Sequence, residues 1–226
     1  MKEEKMLREE LHSLQERLLE SATLVESMIE KGIRGLSGRD RDLLLQVMEE
    51  DESRENEIEV EIEESCIELL ARYQPQARDL RGILMILKMN NDLERMGDEA
   101  VNIAESSLFL IERPPVKPLI DIPRMAQEAM GMLRDSLSSL IREDTALASS
   151  VCQRDDVVDS LRDQILRKLI TYMASDPSTI ERSLHLLRIS RSLERIADLS
   201  TNICEDVIYM VEGKVIKHHR FVKEED

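Results

Sequence analysis

The sequence has little of what β-sheet folds need. Of its 226 residues only 2% are aromatic, none is Trp, and there are seven Gly and six Pro. The hydrophobic fraction of 42% still supplies a core, which must be built from Leu, Ile, Val, Met and Ala. Such a core favours helix packing, and so few turn residues argue against a fold with many strands. We therefore expect an all-α fold.

The sequence also lacks paired cysteines, long apolar runs and an excess of basic residues, and each of these absences argues against a class of function. Cys66, Cys152 and Cys204 are isolated thiols without CxxC spacing, which argues against a disulfide framework or a thiolate zinc site. No apolar run approaches the roughly 18 residues of a membrane span, and the first residues have no signal-peptide core. With 31 basic against 47 acidic residues the net charge is −16, which disfavours nucleic-acid binding. These observations predict a cytoplasmic protein without direct membrane insertion, which partner proteins could still recruit to a membrane.

Residues 93–105, LERMGDEAVNIAE, return one hundred residues later as LERIADLSTNICE. Self-similarity at so long an offset indicates two domain-sized copies rather than a solenoid. Residues 113–118, RPPVKP, are typical of a stiff linker. We therefore predict two tandem pseudo-symmetric three-helix bundles over residues 1–113 and 119–212, followed by a flexible C-terminal tail over residues 213–226.

Helix boundaries within each half follow from capping residues, glycine and proline. The first helix is expected to end in a glycine-rich stretch, and Asp40 to cap the second. That second helix should end before Pro75. In the second half, Asp144 is the expected cap of the middle helix, and Asp176 followed by Pro177 is typical of the start of the last one.

Acidic residues recur inside the apolar stripes of the repeated helices. The third helix of each half carries a Glu and an Asp four residues apart, a spacing that puts two like charges on one helical face. A second polar pair, on the preceding helix, is expected to face it when the helices pack side by side. The eight candidate residues are Glu52, Asn56, Glu94 and Asp98 in the first half and Asp155, Asp159, Glu194 and Asp198 in the second.

Crowded carboxylates are costly unless they are paired, protonated or bound to a cation. Clustered carboxylate oxygens suit metal ions such as Mg, Mn, Ca or Fe, and helix bundles hold several such ions with inward carboxylates. The alternative is a solvated acidic face, with Arg95 and Arg195 neutralising nearby acids. Repetition in register supports the metal interpretation, and both interpretations stay open at this point.

Catalytic motifs are absent from the sequence. The four histidines lack HExxH spacing, and there is neither a P-loop nor a G-x-S-x-G. Carboxylate di-metal enzymes usually add a Glu-x-x-His pair, whereas Gly97 and Ala197 stand three residues after the motif glutamates. We therefore predict that the protein is not an enzyme. The alternatives are a metal-carboxylate helical-bundle enzyme and a metal-free structural adaptor.

Six stretches of the chain together carry a family signature. In the first half they are NNDLERMGDEAVNIAE (90–105), LARYQP (70–75) and RDLR (78–81). In the second half they are RDDVVD (154–159), LITYM (169–173) and SLERIAD (192–198). These stretches resemble the PhoU phosphate-uptake regulators, and the resemblance covers nearly the whole chain.

The resemblance implies a non-enzymatic negative regulator of phosphate uptake and phosphate-starvation signalling. It implies an adaptor between the ATPase subunit of the phosphate ABC transporter and the phosphate-sensing histidine kinase. It also implies multinuclear clusters of divalent or trivalent metal ions (Fe, Mn, Mg or Zn) on the eight candidate residues, with Asn56 weakening the first site because it replaces an acid. We further expect a homo-oligomer, a dimer.

Overall fold

The structure is a computed structural model that describes residues 2–213. The first half contains α1 (Lys2–Gly38), α2 (Arg41–Gln46), a π-helical turn (Val47–Asp51), α3 (Glu52–Tyr73) and α4 (Ala77–Ile111). The second half contains α5 (Asp121–Arg142), α6 (Thr145–Cys152), α7 (Asp155–Ser175), a 3₁₀ turn (Pro177–Thr179) and α8 (Ile180–Glu212). Each half is thus built from three long helical rods, as predicted. The predicted tail lies outside the described residues apart from Gly213.

Side-chain caps explain why the helices begin where they do. Asp40 accepts hydrogen bonds from the backbone N–H groups of residues 42 and 43, and Asp144 accepts one from that of Leu147. Asp176 accepts one from the N–H of Ser178, with Pro177 at the first position of the turn. These bonds satisfy N–H groups that a helix start leaves without partners. All three predicted caps are confirmed.

The π-helical turn at Val47–Asp51 changes which residues of the second rod face inward. A π turn holds more residues than an α turn, so it shifts the phase of the helix that follows. The buried positions include Asp51 at the end of the turn and Glu55, Ile58 and Ile62 after it. Asp51 is held there by Lys31 of α1, whose Nζ lies 2.7 Å from its carboxylate. The turn therefore brings acidic side chains into the bundle.

Helices α4 and α8 form the centre of the molecule and pack along each other. Lys88 of α4 meets Asp206 of α8, and Asp92 meets Asn202, so the two helices run antiparallel. Equal steps inward from both pairs bring Gly97 opposite the buried Ala197, the same position in the two copies. The interface is therefore built about a pseudo-two-fold axis.

The remaining helices cover this central pair. In the first half α1 and α3 pack on α4, and in the second half α5, α6 and α7 pack on α8. The buried apolar side chains form one continuous cluster that runs through both halves. Within residues 2–213 no helix is long and apolar enough to cross a membrane.

Candidate functional site

In the first half, α3 and α4 gather four carboxylates. Glu55 is 2% exposed and accepts a hydrogen bond from the Ser21 hydroxyl at 3.3 Å. Burial raises its pKa to about 7, against the Ser21 bond that lowers it, and the charges of Glu94, Glu59 and Asp98 raise it further. The Glu55 carboxyl group is therefore half protonated near neutral pH.

Gly97 leaves room for this buried glutamate. A Cβ at that position would lie 3.5 Å from Cγ of Glu55, which is ordinary van der Waals contact. The Glu55 side chain thus packs against the backbone of α4 at Gly97. Alanine, the residue at the equivalent position 197, would fit here as well.

The four carboxylates belong to Glu55, Glu59, Glu94 and Asp98, and we name this set the first cluster. Burial raises the pKa of Glu94, and the charges of Asp98 and Glu59 add to the effect while Arg95 opposes it. Arg95 is engaged elsewhere, because its Nη1 donates to Asp92 at 3.2 Å. The first cluster therefore has little positive charge of its own.

The second cluster consists of Asp159 on α7 with Glu194 and Asp198 on α8. Burial raises the pKa of Glu194, Arg162 opposes this, and the charges of Asp159 and Asp198 add to it. Burial and the charge of Asp159 likewise raise the pKa of Asp198. Arg162 brings its Nε within 3.5 Å of the Glu194 carboxylate. The second cluster is therefore partly neutralised from within.

The structure brings five of the eight predicted residues together in two groups, namely Glu94, Asp98, Asp159, Glu194 and Asp198. Asp155 lies near Cys152 together with Glu205, where both charges act on the thiol. Glu52 is half-buried and Asn56 is exposed. The assignment of these last two as ligands stays a prediction.

Glu55 and Glu59 are the residues that the sequence analysis missed. The signal was present, because the offset of the repeat pairs Glu55 with Asp155 and Glu59 with Asp159. The sequence analysis instead paired Glu52 and Asn56 with Asp155 and Asp159, three residues earlier than the offset of the repeat gives. Asn56 is exposed and lies outside the carboxylates that the structure gathers, so it supplies no argument about the affinity of that cluster.

Comparison with known proteins identifies the family. The family model described as "PhoU domain" matches the chain twice, over residues 18–107 and 122–207. The chain belongs to the PhoU family. The two matches fall on the two halves of the fold, so each three-rod bundle is one PhoU domain.

Individual relatives agree with the family assignment. The chain is 42% identical over 209 residues to the "Phosphate-specific transport system accessory protein PhoU homolog" of Aquifex aeolicus, a match that covers 92% of this chain and 94% of that protein. It is 34% identical over 209 residues to the Escherichia coli "Phosphate-specific transport system accessory protein PhoU", with 92% and 86% covered.

Solved PhoU structures share the fold. The crystal structure of PhoU from Pseudomonas aeruginosa superposes with a TM-score of 0.88 at 38% identity, covering 92% of this chain and 99% of that one. The phosphate transport system regulatory protein PhoU from Streptococcus pneumoniae gives 0.86 at 28% identity, with 94% and 100% covered. The predicted all-α fold and PhoU resemblance are confirmed. The chain is a non-enzymatic accessory protein of a phosphate transport system.

The carboxylates of the two PhoU domains differ in how well they would fit a metal ion. Within residues 2–213, no three carboxylate, imidazole or thiol groups are arranged closely enough to hold one. The first cluster nevertheless offers only hard oxygen donors, and the pKa values of Glu55 and Glu94 are raised first by burial and then by neighbouring negative charge. In the second cluster Arg162 already supplies positive charge. The first cluster is thus the better match for a cation.

Proposed function

We propose that this protein is a cytoplasmic negative regulator of phosphate uptake and phosphate-starvation signalling. In this proposal it acts as an adaptor between the ATPase subunit of a phosphate ABC transporter and a phosphate-sensing histidine kinase. The observation that carries the proposal is the repeat: two PhoU domains about one antiparallel α4–α8 pair present two equivalent sets of helical faces. A chain with two equivalent faces is suited to holding two partners at once.

Exposed apolar side chains give these faces a docking chemistry. Leu84 and Leu184 occupy equivalent positions of the two copies and are 40% and 51% exposed. On a chain of net charge −16, such apolar positions favour partner surfaces with apolar anchors ringed by basic residues. The relatives carry names that connect them with phosphate-specific transport systems, which supports the choice of the transporter as one partner.

Capture of purified partners tests the adaptor. Wild-type protein is expected to retain both the ATPase subunit and the kinase, whereas Leu84→Asp and Leu184→Asp each weaken capture of one of them. Ile120→Asp is the matched control, because Ile120 is 71% exposed in the linker region and outside the repeated faces. Failure of the wild-type protein to retain either partner would refute the adaptor function.

A second test uses cells. Deleting the gene should leave phosphate-starvation genes switched on in rich phosphate, since the adaptor that represses them is gone. The double variant Leu84→Asp with Leu184→Asp should reproduce this state with an unchanged melting temperature, because both side chains are exposed. Normal repression after deletion would contradict the proposed negative regulation.

We also propose that the carboxylate clusters bind hard metal ions, the first more tightly than the second. The support is the all-oxygen donor set of the first cluster and the presence of Arg162 in the second. In the first cluster a bound cation would supply positive charge to the buried Glu55 and to the more exposed carboxylates beside it. Saturation with Mn²⁺ or Mg²⁺ at one hundred times its Kd would stabilise the fold by about 2.7 kcal/mol.

The melting temperature with and without Mn²⁺ tests the metal proposal. Glu55→Gln with Glu94→Gln should abolish most of the shift, and Asp159→Asn with Asp198→Asn should remove less of it. The control is Glu64→Gln, an exposed glutamate of α3 outside the cluster. If saturating Mn²⁺, Mg²⁺, Fe²⁺ and Zn²⁺ all leave the wild-type melting temperature unchanged, the metal-free adaptor is the correct interpretation.

A homodimer is the third part of the proposal. Its support is the apolar surface that a single chain leaves uncovered, including Ile67 and Ile170, which are 56% and 51% exposed. Light scattering should give twice the chain mass of 26.1 kDa. A monomer mass at all protein concentrations would refute the dimer.

A further inference from the structure

One end of the α4–α8 interface is closed by a network of charges. Lys88 of α4 donates to the buried Asp206 of α8. Asp92 is also buried and interacts with Arg95 on its own helix and with Asn202 across the interface. Two carboxylates thus meet two cations and an amide, all supplied by the protein.

The other end of the interface, related by the pseudo-two-fold axis, has the same cations without the acids. The positions equivalent to Lys88, Asp92, Arg95, Asn202 and Asp206 hold Arg188, Ser192, Arg195, Asn102 and Ser106. Serine therefore stands at both places where the first network has aspartate. Two negative charges are absent, while both positive charges are retained.

Two further substitutions between the copies add positive charge at this second end. Arg191 occupies the position equivalent to Asn91, and Arg162 the position equivalent to Ile62. Each of these four differences changes the local charge in the positive direction, whereas Glu99, which is equivalent to Leu199, adds one negative charge at the same end. The four differences occur in a chain whose overall charge is −16, so they run against its average composition.

A cleft of about 970 Å³ opens at this second end, between α4, α7 and α8. Its lining includes the four arginines Arg162, Arg188, Arg191 and Arg195 with the neutral donors Asn102, Ser106 and Ser192. The first end, by contrast, is occupied by the side chains of its own two aspartates.

Carboxylates also line the cleft, and two of them are already paired. Glu194 lies 3.5 Å from Arg162, and Asp198 lies 3.7 Å from Arg195. Glu99 accepts a hydrogen bond from Asn102 at 3.3 Å, and Glu105 completes the acidic lining.

Two of the arginines are open to a ligand. Among residues 2–213, neither Arg188 nor Arg191 has an ion-pair partner within 4.0 Å, although Arg191 acts on Glu194 over a longer range. Both side chains are exposed. Their guanidinium N–H groups are therefore available to hydrogen-bond a ligand in the cleft.

The geometry points to a dianionic oxyanion, bound in this cleft in place of the two absent carboxylates. The chemical class is a phosphate group, either inorganic phosphate or the phosphate of a monoester. Arginine presents forked N–H donors that match such oxygens, and Lys88 with Asp206 shows an oxyanion held at the equivalent place in the other copy. The volume of the cleft leaves room for the rest of an ester. With Glu99 and Glu105 nearby, the affinity should be modest.

Calorimetric titration with sodium phosphate, at constant ionic strength and with a chelator present, tests the site. The chelator matters because a metal ion on the carboxylate clusters could itself hold phosphate. Arg188→Gln should weaken binding at least tenfold, and so should Arg191→Gln. Arg167→Gln, which removes an exposed arginine of α7 outside the cleft, should leave it unchanged. Equal binding by wild type and Arg188→Gln, or no binding by wild type, would overturn the inference.

A second variant tests whether the phosphate takes the place of the aspartates found in the other copy. Ser106→Asp restores the acid that the first network has at Asp206, next to Arg188. It should abolish phosphate binding and raise the melting temperature, since the cleft then holds its own carboxylate. Adenosine monophosphate as a second titrant separates the sources: tighter binding than inorganic phosphate assigns the site to an ester, and weaker binding assigns it to the free ion. Unaltered phosphate binding by a folded Ser106→Asp protein would refute the placement.

Discussion

Glu55 carries a carboxyl group into a nearly dry position between α1, α3 and α4. Its pKa of about 7 in the folded protein stands above the ordinary value of 4.5. The folded state therefore holds its proton more tightly than the unfolded state, and ionisation costs stability. The cost is absent below pH 4.5, grows as the pH rises towards 7, and is complete above that, where it amounts to about 3 kcal/mol.

Glu55→Gln should remove this pH-dependent cost, because the amide carries no charge and keeps the contact with Ser21. In chelator, the variant should match the wild type near pH 4.5 and exceed its free energy of unfolding by about 3 kcal/mol at pH 8. Urea unfolding at a series of pH values measures the difference. Glu64→Gln, at an exposed site, should show none. A constant difference between Glu55→Gln and the wild type across that range would contradict the assignment.

The three thiols should differ in reactivity. The Cys204 thiol donates to the sulfur of Cys152, which lowers the pKa of Cys152 and raises that of Cys204. Burial raises the pKa of Cys66 to about 11. Iodoacetamide should therefore modify Cys152 first, at a rate that mass spectrometry follows residue by residue. Cys152→Ser should remove the fast phase, and fast labelling of Cys66 in the folded protein would contradict this order.

The helical elements follow closely from local sequence signals. Asp40, Asp144 and Asp176 mark helix starts through hydrogen bonds that lie within three residues, so composition and spacing suffice to place them. The π-helical turn before α3, by contrast, depends on packing with the rest of the bundle, and the sequence analysis did not predict it. Glu94 was placed because it belongs to the repeated motif, whereas Glu55 was missed because Glu52, three residues earlier, was paired with Asp155 against the 100-residue offset.

Close approach of α1 and α2 should make Gly35 intolerant of a side chain. A Cβ there would lie 2.5 Å from Cδ2 of the fully buried Leu44 and 3.1 Å from the carbonyl oxygen of Asp40. We expect Gly35→Ala to lower the free energy of unfolding by about 1–3 kcal/mol, measured by urea denaturation.

Gly82→Ala is the matched control for this prediction. Gly82 lies inside α4, and a Cβ added there would have no atom within 4 Å, so the change should stabilise the helix by about 1 kcal/mol. Opposite signs for the two alanines would establish that packing, not helix propensity, decides the effect at Gly35. Stabilisation by both would show that α1 and α2 are less tightly packed.

At the scale of the whole molecule, the two PhoU domains are not independent bodies. Their buried apolar side chains form one cluster, and α4 and α8 contribute the central contact between the halves. The charge network of Lys88, Asp92 and Asp206 ties the same two helices together. The repeat in the sequence indicated two units, whereas their fusion into one core depends on contacts between residues more than one hundred positions apart.

Because the two halves share one core, a destabilising substitution in one half should lower the stability of the other half as well. Ile62 is fully buried in the first half, and Ile62→Ala should lower the free energy of unfolding by about 2–5 kcal/mol. Amide hydrogen exchange followed by mass spectrometry measures the opening free energy of the slowest amides. In the variant this free energy should fall by the same amount in α4 and in α8, because both helices report one global unfolding step. Val60→Ala, a change at a side chain that is 47% exposed, should alter neither. Faster exchange confined to residues 41–111, with α5 to α8 unchanged, would show instead that the two PhoU domains unfold separately, and the continuous core would not couple them.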